Sequence, residues 1–213
     1  MKLFRSPKGF TLIELLVVIS IIAILASLAV PAVMNAMTRG QLVVAMNNAR
    51  QIHLATIQAA LDATATADSA IGWPGSIVAG TSGGVSTATG FVRMLVDNGY
   101  FAPADLKVFA APGIPAWSGT DGALTGFTAS NIAFFIYNVT DAHPGTAPFL
   151  TTKNFDAINP PDQTTFTSST TQPFGGKGLV ICRKAGDVNY YRTPASGTRS
   201  FTVPTGLTKL TDN

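Results

Sequence analysis

The sequence predicts an α+β fold in which a long N-terminal α-helix, hydrophobic in its first half and amphipathic in its second, packs against a small antiparallel β-sheet. Three features of the 213 residues carry this prediction. Residues 10–33 are almost entirely apolar, residues 34–65 repeat apolar side chains at helical spacing, and residues 66–213 alternate short apolar stretches with loops rich in glycine and proline. A chain of this length has room for one globular unit and the appended helix.

The excess of positive charge lies ahead of the apolar segment. The net charge is +3, from 14 basic and 11 acidic side chains, and Lys2, Arg5 and Lys8 all precede residue 10. Without these three the two signs balance, so we predict no nucleic-acid binding. Basic residues before an apolar run are typical of a membrane-insertion signal, with the basic residues on the cytoplasmic side and the rest of the chain outside the cytoplasm.

The apolar segment is long enough to span a bilayer. From Leu15 to Val33 it is interrupted only by two serines and Pro31. A cleavable secretory signal has a shorter apolar core and ends at a small-x-small site, which the sequence ASLA at residues 26–29 matches weakly. The alternative to a retained membrane helix is therefore a secreted protein that starts near Val30.

Glu14, near the start of this segment, is the only glutamate in the chain. A charged side chain inside a membrane helix is costly and needs a reason to be there. Thr11 and Glu14 have the T-x-x-E spacing of a capping box, which places the carboxylate at the positive end of the helix dipole. Capping explains why a glutamate is tolerated, but it does not explain the residues around it.

The stretch KGFTLIE (residues 8–14), followed by an apolar run that contains Pro31, closely resembles the N-terminus of type IV pilins and of the pseudopilins of type II secretion. The resemblance implies that a prepilin peptidase cuts between Gly9 and Phe10 on the cytoplasmic side and methylates the new amino group of Phe10. It also implies that Glu14 pairs with the Phe10 ammonium of a neighbouring subunit and sets the register of a filament. A positively charged amino terminus at the same axial position in the filament would offset part of the free-energy cost of burying the Glu14 carboxylate.

The same resemblance implies a pilin-like organisation of the whole chain. It divides the sequence into a cleaved leader (1–9), a transmembrane and polymerisation helix (10–33), the amphipathic half of the same helix (34–65) and a globular C-terminal region with long loops (66–213). Pro31 and Gly40 are the predicted places for a helix kink, because proline removes a backbone hydrogen bond and glycine is a poor helix former.

The amphipathic half of the helix has one apolar face on a helical wheel. Its predicted members are Leu42, Ala45, Met46, Ala49, Ile52, Ile57, Ala59 and Ala60, and the opposite face carries Asn47, Gln51, Gln58 and Asp62. His53 lies on the apolar arc of the helix. The two histidines of the chain are isolated from each other in the sequence and do not make a metal site, so His53 is predicted to lie at the edge of the core rather than to bind a metal.

Beyond the long helix, the sequence predicts a short helix that ends at Asn98-Gly99 and a second turn or helix start at Pro103–Leu106. Strands are predicted within residues 131–139, 177–185, 188–192 and 200–204, with a hairpin turn at residues 185–187. Cys182 lies on one of these strands and is predicted to be a buried structural thiol. As the single cysteine, it has no partner for an intramolecular disulfide.

Three sequence patterns raise other chemistries. Gly80-Thr81-Ser82-Gly83-Gly84 matches the G-x-S-x-G nucleophile elbow, but no helical pattern follows it, so a hydrolase built on Ser82 is a distant alternative. Asn138-Val139-Thr140 is a formal glycosylation sequon inside a predicted strand. Five loop aspartates raise the question of a calcium site, but they lack the dense spacing of a calcium loop. We predict no other cofactor and leave the metal unknown. The five are Asp121, Asp141, Asp156, Asp162 and Asp187.

We therefore predict a structural filament subunit rather than an enzyme. A type II secretion pseudopilin is favoured, because the pilins of many type IV pili carry a C-terminal disulfide loop that one cysteine cannot close; the alternative is a pilin for adhesion, motility or DNA uptake. A single-pass anchored binding domain is a further alternative. The resemblance implies as partners other copies or other pilins, prepilin peptidase, an inner-membrane assembly platform with its ATPase, and membrane lipid before extraction. It places the subunit in the inner membrane first, and then in a periplasmic pseudopilus or a surface filament.

Overall fold

A computed structural model describes residues 9–77, 85–155, 173–174, 177–191, 204 and 206–212. The chain divides into two compact units, residues 1–40 and residues 41–213. One helix, α1 (Leu12–Thr66, 55 residues), contributes to both.

In the first unit, α1 exposes its apolar side chains from Leu12 to Met37. The hydroxyls of Ser20 and Ser27 donate to the carbonyls of Leu16 and Ile24, both at 2.7 Å, which satisfies them within the helix. By length and composition, α1 is able to cross a membrane, a property it shares with signal sequences near an N-terminus.

The residues predicted to kink the helix are both α-helical. Pro31 and Gly40 lie inside the continuous span of α1, and the boundary between the two units follows Gly40. A kink at either residue stays a prediction.

In the second unit, α1 buries the predicted apolar face. Five of the eight predicted residues are buried and the other three are partly buried, which confirms the helical pattern. Asp62, predicted on the opposite face, is half-buried instead, because its Oδ2 accepts a hydrogen bond from the hydroxyl of Tyr100 at 2.9 Å.

The bond between Tyr100 and Asp62 should make stability depend on alkaline pH. Burial, together with the Asp62 carboxylate, raises the pKa of Tyr100 to about 12. Because the fold favours the neutral phenol, its contribution is complete below pH ~10 and is lost as the pH rises towards 12. We expect Tyr100→Phe to cost about 1 kcal/mol at pH 8. Thermal midpoints from pH 8 to 12 should converge for the two proteins; a constant gap would contradict this origin.

The sheet has four antiparallel strands in the order β1-β2-β3-β4. The strands are β1 (Phe134–Ile136), β2 (Pro148–Thr152), β3 (Leu179–Arg183) and β4 (Val188–Tyr191). Phe135 faces Thr151 across the first pair, and Ile181 faces Asn189 across the last. Strands β1, β3 and β4 lie within predicted segments, and Gly186 adopts φ +90° in the predicted hairpin turn. The segment predicted at 200–204 lies outside the described residues except for Pro204.

Strand β2 is absent from the sequence prediction. All five of its residues are buried, so it lacks the alternation that marks a half-exposed strand. Pro148 at its start also lowers its apparent strand propensity.

The short helix α2 (Ala88–Asp97) begins and ends as its sequence indicates. The hydroxyl of Thr87 accepts from the amide of Gly90 at 3.0 Å, and Gly99 adopts φ +76° after the last turn. A 3₁₀-helix at Pro103–Phe109 starts at the predicted proline.

Aromatic side chains join α1, α2 and the sheet into one core. Trp73 and Phe149 pack edge-to-face with ring centroids 5.2 Å apart, and Phe149 also packs against Phe91 at 6.2 Å. His53 lies 5.8 Å from Trp73 and is buried rather than at the core edge.

A closing segment, residues 206–212, pairs with the outer edge of β1. The amide of Leu210 donates to the carbonyl of Ile136 at 2.8 Å, and the amide of Asn138 donates to the carbonyl of Thr208 at 2.9 Å. The side-chain Oδ1 of Asn138 accepts from the amide of Thr208 at 2.7 Å. The sequon asparagine therefore uses its side chain to hold the fold.

Cys182 is buried in β3 with 0% exposure. Burial raises the pKa of its thiol to about 12, so the nucleophilic thiolate is scarce at neutral pH. We expect an aromatic disulfide reagent to label no thiol in the native protein at pH 8 and one thiol per chain in guanidinium chloride. Rapid labelling of the native protein would contradict a structural thiol.

Candidate filament-assembly site

The N-terminus of α1 is a capping box, as its spacing predicts. The amide and the hydroxyl of Thr11 both donate to Oε2 of Glu14, at 2.8 and 2.7 Å. In return, the amide of Glu14 donates to the hydroxyl of Thr11 at 3.3 Å. These reciprocal bonds hold the Glu14 side chain in one position at the start of the helix.

Capping occupies only one oxygen of the carboxylate. Both bonds from Thr11 end on Oε2, and within the described residues Oε1 of Glu14 has no hydrogen-bond partner. An ionised carboxylate offers about four acceptor positions. Glu14 is therefore able to cap its own helix and bind an external ammonium at the same time, so the two roles considered for it are compatible.

The predicted cleavage position lies just before the helix. Gly9 and Phe10 are exposed, and Phe10 has 77% of its surface accessible. A Cβ on Gly9 would meet nothing within 4 Å. Among the described residues, therefore, nothing requires glycine at this position, and the residues on both sides of the predicted cleavage bond are exposed. Cleavage and methylation at this bond stay predictions.

Three exposed apolar side chains lie along one side of the part of α1 in the second unit. Val43, Leu54 and Leu61 lie within about 20° of one another on the helix, and they are 46%, 65% and 65% exposed. The opposite side of this helix is buried in the core. The helical pattern of the sequence did not single out these three residues because polar residues separate them, although their 11- and 7-residue spacing is visible in the sequence.

The loop aspartates considered for calcium do not come together among the described residues. The carboxylate of Asp121 accepts from the amide of Thr125 at 3.1 Å, and hydrogen bonds from Thr125 lower the pKa of Asp121. Asp141 is bound by Ser76 and Asp187 by Arg183. Within the described ranges, no three His, Cys, Asp or Glu side chains form a group that could hold a metal.

Several residues on which the hydrolase and calcium hypotheses depend lie outside the described ranges. These are Ser82 with its G-x-S-x-G motif, Asp156 and Asp162.

Comparison with known proteins gives matches at the sequence level. A family profile described as "Prokaryotic N-terminal methylation motif" matches residues 4–30. A type IV major fimbrial protein FimA of Dichelobacter nodosus is 40% identical over 81 residues, which are 38% of this chain and 51% of that protein. A second FimA sequence from that organism is 42% identical over 69 residues, 32% of this chain and 44% of the relative. The chain spans about half the length of the curated relatives it matches. No solved structure matches.

Proposed function

We propose that this chain is a structural subunit of a type IV pilus-like filament, and the matches of its N-terminal region to the methylation motif and to the fimbrial relatives support this proposal. The observation that carries the proposal is the start of α1. Glu14 is held by Thr11 through Oε2, and its Oε1 has no hydrogen-bond partner among the described residues. The helix that contains it exposes its apolar side chains from Leu12 to Met37. Such a surface requires lipid or other apolar helices around it. The names of the fimbrial relatives support a pilus.

In the proposed mechanism, a prepilin peptidase first removes residues 1–9 and methylates the amino group of Phe10. The new ammonium and the carboxylate of Glu14 then lie at opposite ends of one helical turn. When apolar helices of several copies pack together, Oε1 of Glu14 accepts from the Phe10 ammonium of a neighbour. Inside a bundle of apolar helices, the Phe10 ammonium and the Glu14 carboxylate meet at only one axial offset between neighbouring subunits. This offset sets the filament register.

Before assembly, the apolar part of α1 anchors the subunit in the inner membrane, with the second unit outside the cytoplasm. Extraction removes this helix from lipid and requires work, which we assign to an assembly platform and its ATPase. The second unit then forms the outer surface of the filament. In this proposal the protein is structural and performs no catalysis.

A secretion pseudopilus is the second candidate, and the observation that favours it is Cys182. The only cysteine is buried in β3 and cannot close a C-terminal disulfide loop. Deleting the gene separates the two candidates. Loss of surface fibres with a normal set of secreted proteins indicates a pilin, whereas retention of secreted proteins inside the cell indicates a pseudopilin.

Intact mass and N-terminal sequencing of the protein from native membranes test the proposal. We expect a chain that begins at N-methylated Phe10. A Gly9→Val variant should keep residue 1 and accumulate uncleaved, while Ser6→Ala, inside the leader, should be processed normally. A wild-type chain that begins near Val30, or still at Met1, would contradict the pilin pathway.

The exposed side of α1 in the second unit should also contribute to assembly. Fully burying a leucine side chain contributes about 2 kcal/mol. Leu54 is 65% exposed, so burying its remaining surface contributes about 1.3 kcal/mol, and we expect Leu54→Gln to lower filament yield roughly tenfold. The thermal midpoint of the unassembled subunit should change little, because Leu54 is exposed. Lys107→Gln, at an exposed residue of the 3₁₀-helix Pro103–Phe109, is the control. Sheared filaments are quantified by immunoblot, and an unchanged yield would remove this surface from the interface.

A further inference from the structure

The loop between β1 and β2 folds around a lysine from the β3–β4 hairpin. The Nζ of Lys184 donates to the main-chain carbonyls of Asp141 and His143, both at 2.7 Å. The same ammonium lies 5.9 Å from the centroid of the Trp73 ring. Lys184 is only partly exposed. One ammonium therefore holds two carbonyls of one loop beside an aromatic face.

Two carbonyl oxygens that converge on one point form a cation-binding arrangement. Carbonyl oxygens are suitable partners for hard cations and for ammonium groups. No ion pair joins Lys184 to the Asp141 carboxylate among the described residues, and the Oδ2 of that carboxylate accepts from the hydroxyl of Ser76 at 2.8 Å. The Lys184 ammonium is thus held by two main-chain carbonyls, whereas the Asp141 carboxylate binds Ser76.

The main chain of Lys184 is fixed on both sides. Its amide donates to the carbonyl of Ala147 at 2.9 Å. Its carbonyl accepts from Nε2 of the buried His53 on α1, also at 2.9 Å. A Cβ on Gly186 would lie 2.8 Å from the His53 ring, so the hairpin lies close against α1. The backbone of the β3–β4 hairpin therefore holds Lys184 in a fixed position beside the loop.

The loop itself is organised to present these carbonyls. Nδ1 of His143 accepts from the amide of Thr140 at 3.0 Å and lies 2.7 Å from the Thr140 hydroxyl. The amide of Ala185 donates to the carbonyl of Gly145 at 2.9 Å. These bonds fix the loop at both ends of the carbonyl pair.

We propose that the loop Thr140–Ala147 contains a cation site whose occupant is the protein's own Lys184 ammonium. This internal cation holds the loop in shape without a metal ion from solution. The inference is independent of filament assembly, because it rests on contacts within the second unit alone.

The test uses the full chain in detergent micelles and amide hydrogen exchange. Lys184→Met keeps the length of the side chain but removes its charge and donors. We expect exchange at His143, Lys184 and Ala185 to rise at least ~10-fold, because two charge-assisted bonds are lost. Lys107→Met, at an exposed lysine in a 3₁₀-helix, is the matched control and should leave these amides unchanged. A change below twofold in Lys184→Met would overturn the proposal.

A second measurement tests independence from metal. We expect exchange in residues 140–147 of the wild type to be the same in about 5 mM CaCl₂ and in about 5 mM EDTA, since the ammonium already occupies the carbonyl pair. The Nζ proton signal of Lys184 should exchange more slowly than that of Lys107. Slower loop exchange in calcium than in EDTA would show that the loop takes a metal ion and would overturn the proposal.

Discussion

Replacing Glu14 by glutamine should abolish filament assembly while the subunit is still inserted and processed. Glutamine keeps the size of the side chain and can cap the helix through its carbonyl oxygen, so α1 should still start at Leu12. In the proposed filament, glutamine cannot neutralise the ammonium of a neighbouring Phe10, which would then be buried without a counter-charge. We expect filament yield to fall by roughly tenfold or more, measured by electron microscopy and by immunoblot of the sheared fraction.

Thr11→Ala is the matched control for Glu14. It removes the hydroxyl that donates to Oε2 at 2.7 Å and accepts from the Glu14 amide at 3.3 Å, but it keeps the carboxylate. If the charge of Glu14 serves assembly, Thr11→Ala should form filaments and Glu14→Gln should not. Equal loss in both variants would assign the effect to capping, and normal filaments from Glu14→Gln would refute the register role.

Gly75→Ala should destabilise the second unit more than any other alanine substitution considered above. An added Cβ would lie 2.1 Å from the carbonyl oxygen of Asn138 and 2.8 Å from Cγ2 of Thr140. The backbone cannot move away easily, because the amide of Gly75 donates to the carbonyl of Val139 at 2.8 Å. We expect a loss of about 3 kcal/mol, which lowers the thermal midpoint by about 6–12 °C for a unit of this size.

Gly122→Ala is the control, since a Cβ there would meet nothing within 4 Å. Its midpoint should lie within about 2 °C of the wild type. Circular dichroism of both variants in the same micelles gives the comparison. A Gly75→Ala protein that melts like Gly122→Ala would show that the segments at residues 75 and 138–140 separate without cost.

The helical parts of the fold were predictable because their signals are local. Thr11 and Glu14 define the start of α1 by spacing alone, and Asn98-Gly99 defines the end of α2. The buried face of α1 also follows from periodicity. Asp62 is the exception, because its position depends on Tyr100, which no periodic pattern connects to it.

The features that the sequence did not predict depend on distant contacts. Strand β2 is buried on both faces and so lacks alternation, and its place between β1 and β3 depends on pairing with both neighbours. The Lys184 site joins two carbonyls to a side chain more than 40 residues away. The proposed processing site shows the opposite case, since the residues that predict it form a short local motif around Gly9.

The closing segment sets an order of events in folding. Thr211 contacts Ser86 across 125 residues of sequence, and Asp212 pairs with Lys153 at 2.9 Å. Residues 208–210 cover the outer edge of β1, where the amide of Leu210 donates to the carbonyl of Ile136. This edge therefore stays open until the chain has been made through to Leu210, whereas α1 needs only local bonds to form. In the proposed export pathway, α1 would thus insert early and the sheet would be completed last. In that interval the unpaired edge of β1 is exposed to other chains, so protection against strand-to-strand aggregation matters most just before folding ends.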